Sequence, residues 1–226
     1  MTLAELNERL LAWATAAPRQ ARLLRARADH FGRRGEPHEE DGSFELRMNA
    51  MLEFYLFDWR EPSDGPTTLA LFLEEVGETL PPEEAEAFRA LAGNRHALVE
   101  VRKVEPGTIR VRDVFRGDDL EVTERRQVAG LARGDLLEAR LMPLDGHLVF
   151  SGAFLWQPRE ARKAILAEVK KLRRAAGKDG APEVEPFLAV LSRMAFKVER
   201  YRNVRLESIY DFTVDQRSLT PRPGPR

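Results

Sequence analysis

Glu53 and Asp58 are the residues whose type and surroundings come closest to acid–base chemistry. Both lie in residues 44–59, FELRMNAMLEFYLFDW, where apolar residues recur at helical spacing on most sides of a predicted helix. Burial raises the pKa of a carboxyl group, which suits it to proton transfer near neutral pH. A spacing of five residues, however, points the two carboxylates to different sides of a helix. The structural alternative is that Asp58 caps the turn over residues 60–68 while Glu53 pairs with a buried arginine.

The other residues with nucleophile or metal-ligand chemistry form no recognised motif. The chain has no Gly-rich phosphate loop and no nucleophile elbow, and its four histidines are far apart in the sequence. It also has no cysteine, which excludes disulfides, thiolate zinc sites and cysteine nucleophiles. The run His38-Glu39-Glu40-Asp41 lacks the alternating order of an EF-hand loop, so we interpret it as a solvated loop. We therefore predict no bound metal and no cofactor.

Arginine side chains offer another chemistry, since guanidinium groups can follow the phosphates of a nucleic acid. In TIRVRDVF, residues 108–115, Arg110 and Arg112 alternate with apolar residues and are predicted on the outward face of a strand. The full candidate nucleic-acid-binding set is Arg19, Arg22, Arg25, Arg102, Arg110, Arg112 and Arg140. The chain as a whole has 36 basic and 37 acidic residues and a formal net charge of −1, which disfavours a globally basic binder.

Two further patterns argue against a nucleic-acid-binding surface built from these arginines. The arginine-rich stretch at residues 18–35 is followed by an acidic stretch at residues 36–45, and we interpret the two as screening each other across a loop. Base stacking needs exposed aromatic residues. Those of the strand region fall at predicted core positions: Phe115, Phe150, Phe154 and Trp156.

The elements that would position these residues are clearest between residues 97 and 156. Five alternating segments, ALVEVRKV, TIRVRDVF, DLEVTE, LLEARLMPL and HLVFSGAFLW, are separated by turn signals such as Pro106-Gly107 and Asp145-Gly146. Alternation with period two, bounded by glycine and aspartate, is typical of strands joined as hairpins. We predict a small five-stranded antiparallel β-barrel, or a strongly bent sheet, within residues 96–157.

Helical patterns on both flanks of the barrel give an α+β fold class. Residues 1–95 are predicted to be a helical region and residues 158–214 C-terminal helices with an arm, followed by a disordered tail at residues 215–226. The helix at residues 184–200 carries large apolar residues on two sides and so needs two partners. One partner is the main body. The other is a second subunit, which makes a homodimer our first expectation, or residues 204–214 folding back as a strand or extended arm.

The chain shows no signal for a membrane. No apolar run approaches the roughly 18 residues of a membrane span. Charged residues interrupt the N-terminal apolar stretch, which therefore does not read as a signal peptide. Together with the lack of cysteine, this predicts a cytoplasmic protein that makes no membrane contact.

The order of motifs from residue 54 to residue 156 resembles an uncharacterised bacterial protein family. The resemblance rests on Phe57-Asp58-Trp59, Gly65 with Thr67, Pro82-Glu83-Glu84, Glu100-Val101 with Val104 and Pro106-Gly107, Arg112-Asp113 with Gly117, and Gly134-Asp135-Leu136-Leu137 with Arg140. It implies the fold and a cytoplasmic origin, and it brings no activity with it. Some members carry a C-terminal SEC-C zinc motif, which this chain lacks because it has no cysteine.

Three functional hypotheses follow. The absence of a nucleophile–base or metal constellation favours a non-enzymatic cytoplasmic binding or adaptor protein. The alternative is a nucleic-acid-associated protein that uses arginine-rich faces, and the weaker alternative is a hydrolase or transferase that uses the carboxylates of Glu53 and Asp58. Convergence of Glu53, Asp58, His96 and an arginine in one cleft, with strongly shifted pKa values, would favour the enzyme.

Overall fold

The computed structural model describes residues 1–124, 130–177, 183–201 and 203–213. Within these residues it contains eight α-helices and five strands. The N-terminal helices are α1 (Leu3–Ala14), α2 (Gln20–Arg34), α3 (Phe44–Phe57), α4 (Thr68–Val76) and α5 (Pro82–Leu91). The strands are β1 (Arg95–Glu105), β2 (Thr108–Asp113), β3 (Asp119–Thr123), β4 (Leu136–Leu144) and β5 (His147–Gln157). The C-terminal helices are α6 (Arg162–Ala175), α7 (Val184–Arg200) and α8 (Leu206–Ile209).

The five strands close into a barrel in the order β1-β2-β3-β5-β4, with β4 pairing back onto β1. Each strand falls on one of the five alternating segments, so the predicted α+β fold with a small barrel is confirmed. The prediction of an antiparallel barrel was wrong in one pairing, since β3 runs parallel to β5 with Val122 opposite Leu148. A closed ring of an odd number of strands cannot alternate direction at every pair, so closure with five strands requires a mixed barrel.

The barrel interior is packed with apolar side chains from every strand. The β4–β5 connection is a two-residue turn in which Asp145 (φ 48°) and Gly146 (φ 76°) both have left-handed backbone conformations. Such turns match the twist of the strands that they join. Representative interior residues, one from each strand, are Val99, Val111, Val122, Leu137 and Phe150.

An N-terminal helical layer packs against one side of the barrel. Its first helix begins with a capping box: Thr2 Oγ1 accepts the Glu5 N–H at 3.3 Å, and Glu5 Oε2 accepts the Thr2 N–H at 2.8 Å. Helix α3 is buried on most sides, and the phenol of Tyr55 donates to the carbonyl of Ala14 at 3.0 Å. The core of this layer is continuous with the barrel wall through Met142 of β4.

The C-terminal helices cover another side of the barrel, and residues 203–213 fold back onto α7. The ring of Phe212 stacks on that of Phe187 at a centroid distance of 5.5 Å. Of the two forms expected for this segment, the strand was wrong, because Leu206–Ile209 form a short helix, α8, with Tyr210 as its C-cap residue. The fold-back arm therefore supplies the second partner of α7, which removes the reason for expecting a homodimer.

Some predictions concern residues that the structure does not describe. The tail at residues 215–226, predicted to be disordered, lies there. Among the helices that are described, none is both long enough and apolar enough to cross a bilayer.

Candidate functional site

A cleft of about 480 Å³ opens where the end of α3 faces the start of β1 and the first turn of α7. Its apolar lining comes from Phe54, Trp59, Val184 and Leu188. Its polar lining is Asp29, Arg33, Asp58, Arg60, Ser63, Asn94, Arg95, His96, Arg116 and Glu185. A concave site that combines apolar walls with converging polar groups is typical of a ligand pocket.

His96 lines this cleft with each ring nitrogen near a carboxylate. Nε2 lies 2.9 Å from Glu138 Oε1, and Nδ1 lies 3.5 Å from Glu185 Oε2. Burial alone would lower the pKa of His96, but the hydrogen bonds to Glu138 and Glu185 outweigh it and raise the pKa. Both ring nitrogens face carboxylates, an arrangement that favours the imidazolium, the form that donates from both nitrogens.

Arg34, from the last turn of α2, shares the two carboxylates of His96. Its side chain is buried, binds Glu138 and lies 2.9 Å from Glu185 Oε2. Burial would raise the pKa of Glu138 and Glu185, but the charges of Arg34 and His96 lower both values to about 2. These four residues, here called the His96 cluster, therefore join two basic and two acidic side chains in one contact. Within the described residues, no three acidic or histidine side chains are arranged to hold a metal ion.

Arg140 of β4 brings Glu53 and Asp58 together. Nη1 of Arg140 donates to Asp58 Oδ1 at 3.1 Å, and its Nε lies 3.4 Å from Glu53 Oε2. The expectation that the two carboxylates point apart was wrong, because α3 ends at Phe57 and Asp58 is its C-cap residue. The predicted pairing of Glu53 with a buried arginine is confirmed, whereas Asp58 binds Arg140 instead of the turn that follows.

The charged residues of this region fall into two groups, those that line the cleft and those that lie behind the lining. Asp58 and His96 line the cleft, while Arg140, only 2% exposed, lies behind Asp58 and contacts Glu53. Burial raises the pKa of Glu53, and the charge of Arg140 only partly offsets this. Glu53, Asp58, His96 and an arginine thus lie in one region, with shifted pKa values at Glu53 and His96.

Two arginines of the cleft lack an acidic partner within the described part of the chain. Arg60 donates to the carbonyl of Gly65 at 2.8 Å, and the guanidinium of Arg116 makes neither an ion pair nor a hydrogen bond there. The other two, Arg33 and Arg95, are paired with aspartates. Arg60 and Arg116 are both exposed, so they give the cleft positive charge that no described carboxylate balances.

The N-terminal arginines predicted to contact nucleic acid are held within the molecule. Their partners are Glu75 for Arg19, the carbonyls of Glu61 and Pro66 for Arg22, and the carboxylate of Glu61 for Arg25. The pair Arg27–Glu36 joins the arginine-rich and acidic stretches as expected. The partners of Arg19, Arg25 and Arg34 lie outside the acidic stretch, so mutual screening explains only part of this charge pattern.

The barrel arginines differ in exposure. Arg110 is exposed and lies 3.5 Å from Glu121, Arg112 is half-buried, and Arg102 binds Glu100 at 3.0 Å. Placing Arg140 on an outward surface was wrong, because β4 is buried on both faces over residues 136–142, by the barrel interior on one side and by the helices on the other.

The aromatic residues of the barrel divide in the same way. Phe115, Phe150 and Phe154 are buried as predicted. Trp156 is 41% exposed, which corrects its assignment to the core.

Sequence reasoning missed Arg34, Glu138 and Glu185. A signal for Glu138 was present, since Glu138 and Arg140 place opposite charges on one face of a strand that is otherwise apolar. Arg34 was one arginine among several in its stretch. Glu185 occupies a helix start, where an acidic residue is ordinary.

The fold and the site first define a class, an α+β protein with a closed mixed barrel and a charged cleft between the barrel and its helices. Residues 28–192 match a family of unknown function, DUF7986, and the chain belongs to that family. The resemblance to an uncharacterised family is thus confirmed, and the matched range contains all four residues of the His96 cluster. No curated protein and no solved structure matches the chain.

Proposed function

We propose that this is a cytoplasmic, non-enzymatic binding protein whose cleft takes a small anionic molecule. The observation that carries the proposal is the presence of Arg60 and Arg116, without an acidic partner among the described residues, in a cleft that His96 also lines. Guanidinium groups match carboxylate and phosphate oxygens with two parallel hydrogen bonds. Ser63 adds a hydroxyl group to the same lining.

The state of the other charged groups supports binding over acid–base catalysis. Glu138 and Glu185, with pKa values of about 2, stay ionised at neutral pH and are occupied by cations. Both ring nitrogens of His96 face those carboxylates, so neither is free to accept a proton from a substrate. An efficient general base needs a pKa near the working pH and an open lone pair.

Isothermal titration calorimetry with inorganic phosphate, citrate and adenosine monophosphate tests this proposal. We expect at least one of them to bind, and the double variant R60A/R116A to weaken binding on the order of 10-fold or more, since hydrogen bonds to charged groups contribute about 1.5–3 kcal/mol each. The matched control is R174A/R205A, which removes two exposed arginines that do not line the cleft. No heat with any of the three anions, or equal weakening by the control, would overturn the proposal.

A hydrolase or transferase is the second candidate, and one observation favours it. Asp58 and His96 line one cleft, and Glu53, whose pKa burial raises, lies behind them. A screen of chromogenic carboxylate and phosphate esters tests this candidate. Turnover that is lost in D58N, and not in the exposed-arginine control R174A, would favour the enzyme over the simple binder.

A further inference from the structure

Trp156 is a large aromatic side chain that the barrel leaves 41% exposed, although it belongs to β5. Its cross-strand partner on β4 is Leu137, which is buried in the barrel interior. Directly paired residues of antiparallel strands project to the same side. Trp156 therefore stands on the inner side of the sheet, at the rim where β4 begins and β5 ends. The ring of Phe154 lies 5.7 Å from the indole and supports it from within.

Arg159, two residues after the end of β5, is the first cation of this rim. Its Nε lies 2.6 Å from Asp135 Oδ1. Asp135 lies immediately before β4, whose second residue, Leu137, pairs with Trp156. The Asp135 side chain is 4% exposed and that of Arg159 is 65% exposed. A buried carboxylate therefore fixes an exposed guanidinium at the rim.

The same arrangement recurs at Glu100 of β1. Glu100 lies opposite Leu136, the first residue of β4, and binds both Arg102, at 3.0 Å, and Arg162. Leu136 packs with the C-terminal helices and Leu137 in the barrel interior, so Glu100 lies on the outer side of the barrel wall, across the rim from Trp156. The carboxylate is 8% exposed, whereas the two arginine side chains are 42% and 41% exposed. Again the negative charge lies beneath and the positive charges face solvent.

Arg133 adds a fourth guanidinium, exposed and without an ion-pair partner among the described residues. Four cations against Glu100, Asp135 and the exposed Glu160 leave this surface with a net positive charge. We define the Trp156 rim as Trp156, Arg102, Arg133, Arg159 and Arg162, a set in which the indole stands on the inner side of the barrel wall and the Glu100-bound arginines on its outer side. None of these residues lines the cleft.

We propose that the Trp156 rim binds single-stranded nucleic acid, with one base stacked on the indole and the neighbouring phosphates held by the arginines. An aromatic platform beside exposed cations is how proteins hold single strands without reading their sequence, and each stacked base contributes about 1–3 kcal/mol. A duplex fits less well, because its bases are already stacked on each other. This inference goes beyond the proposed anion binding in the cleft and does not depend on it.

Fluorescence anisotropy with labelled homopolymers of about 12 nucleotides tests the inference on the full chain. The probes are oligo(dT), oligo(rU) and a DNA duplex of the same length, each at about 50 mM and about 200 mM salt. We expect either or both single strands to bind more tightly than the duplex, with affinity falling as salt rises. The comparison of oligo(dT) with oligo(rU) identifies the preferred sugar.

Variants separate stacking from charge. W156A should weaken single-strand binding on the order of 10-fold or more, whereas W156F, which keeps a ring, should stay within about threefold of wild type. R133A breaks no observed ion pair and should reduce the slope of log affinity against log salt by about one unit. R174A is the matched control and should bind like wild type, and circular dichroism confirms that each variant is folded.

Three results would overturn the proposal. One is the absence of binding to any probe up to about 100 µM protein at low salt. Another is unchanged single-strand binding in folded W156A. The third is duplex binding as tight as single-strand binding, which would show that the indole takes no part.

Discussion

His96 Nε2 lies 2.9 Å from Glu138 Oε1, so a histidine of β1 and a glutamate of the neighbouring β4 meet in the barrel wall. Arg34 of α2 and Glu185 of α7 reach the same pair. The contact therefore joins the N-terminal layer, the barrel and the C-terminal layer at one point beside the cleft. Because a buried charge without its partner is costly, each of the four elements depends on the others to keep its place.

Replacing His96 by glutamine should remove a stabilisation that depends on pH. The pKa of His96 is raised in the folded state, so its contribution is fully present below the unfolded-state pKa of about 6.5 and is lost as pH rises through the folded-state value. Urea unfolding of wild type and H96Q from about pH 5.5 to about pH 9 should show a difference in unfolding free energy that shrinks as pH rises. A difference that stays constant across this range would contradict an imidazolium at this position.

His30 should have the opposite pH dependence. It packs between the rings of Phe31 and Phe54, and burial together with the charge of Arg34 lowers its pKa to about 3. The neutral form contributes stability above the unfolded-state pKa of about 6.5, and this stability is lost as pH falls towards the folded-state value.

The variant H30L tests this assignment. Nδ1 of His30 has no hydrogen-bond partner among the described residues, so the change breaks no observed hydrogen bond at that atom. Between about pH 6.5 and about pH 4.5, H30L should lose less unfolding free energy than wild type. The carboxylates of Glu138 and Glu185 lose stabilisation as pH falls through their unfolded-state pKa of about 4.5, but this loss is common to both proteins and cancels in the comparison. Parallel pH profiles for the two proteins would count against a neutral buried His30.

Removing Arg140 should be strongly destabilising, because it leaves the carboxylates of Glu53 and Asp58 without their cation. We expect R140M to lower the unfolding free energy by about 3–5 kcal/mol, as for other broken buried pairs. The double variant E53Q/R140M should recover part of this loss, because Glu53 is the more deeply buried carboxylate.

Two controls make the Arg140 test specific. R140K keeps a charge but loses the planar fork that holds Asp58, so its stability should fall between those of wild type and R140M. The four proteins of the Glu53–Arg140 cycle are compared by urea unfolding at pH 7. If the effects of E53Q and R140M on the unfolding free energy simply add, the two residues are not coupled and their contact does not stabilise the fold.

The strands were predictable and the site was not, for physical reasons. Side chains of a strand alternate between its faces, so the local sequence alone identifies the interior residues of β1 to β5. The site joins residues with no local relationship, and Arg34 and Glu185 are 151 positions apart. Trp156 shows what alternation cannot predict. The pattern assigned its side chain to the correct side of the sheet, but it does not show where the barrel ends, and so it did not predict that Trp156 is exposed.

The arm at residues 203–213 should stabilise the monomer and take no part in a dimer. The phenol of Tyr210 is buried and donates to Gln157 Oε1 at 2.8 Å, and Phe212 stacks on α7. Y210F should therefore lower the unfolding free energy by about 1 kcal/mol, the net contribution of a typical hydrogen bond. Light scattering should show a monomer for both the full chain and Y210F.

Truncation after residue 202 should expose the apolar side of α7 and cause association that increases with protein concentration. Truncation after residue 213 is the matched control and should cause no such association. A full chain that is a dimer, and that becomes a stable monomer when residues 203–226 are removed, would show instead that the arm forms an interface between subunits.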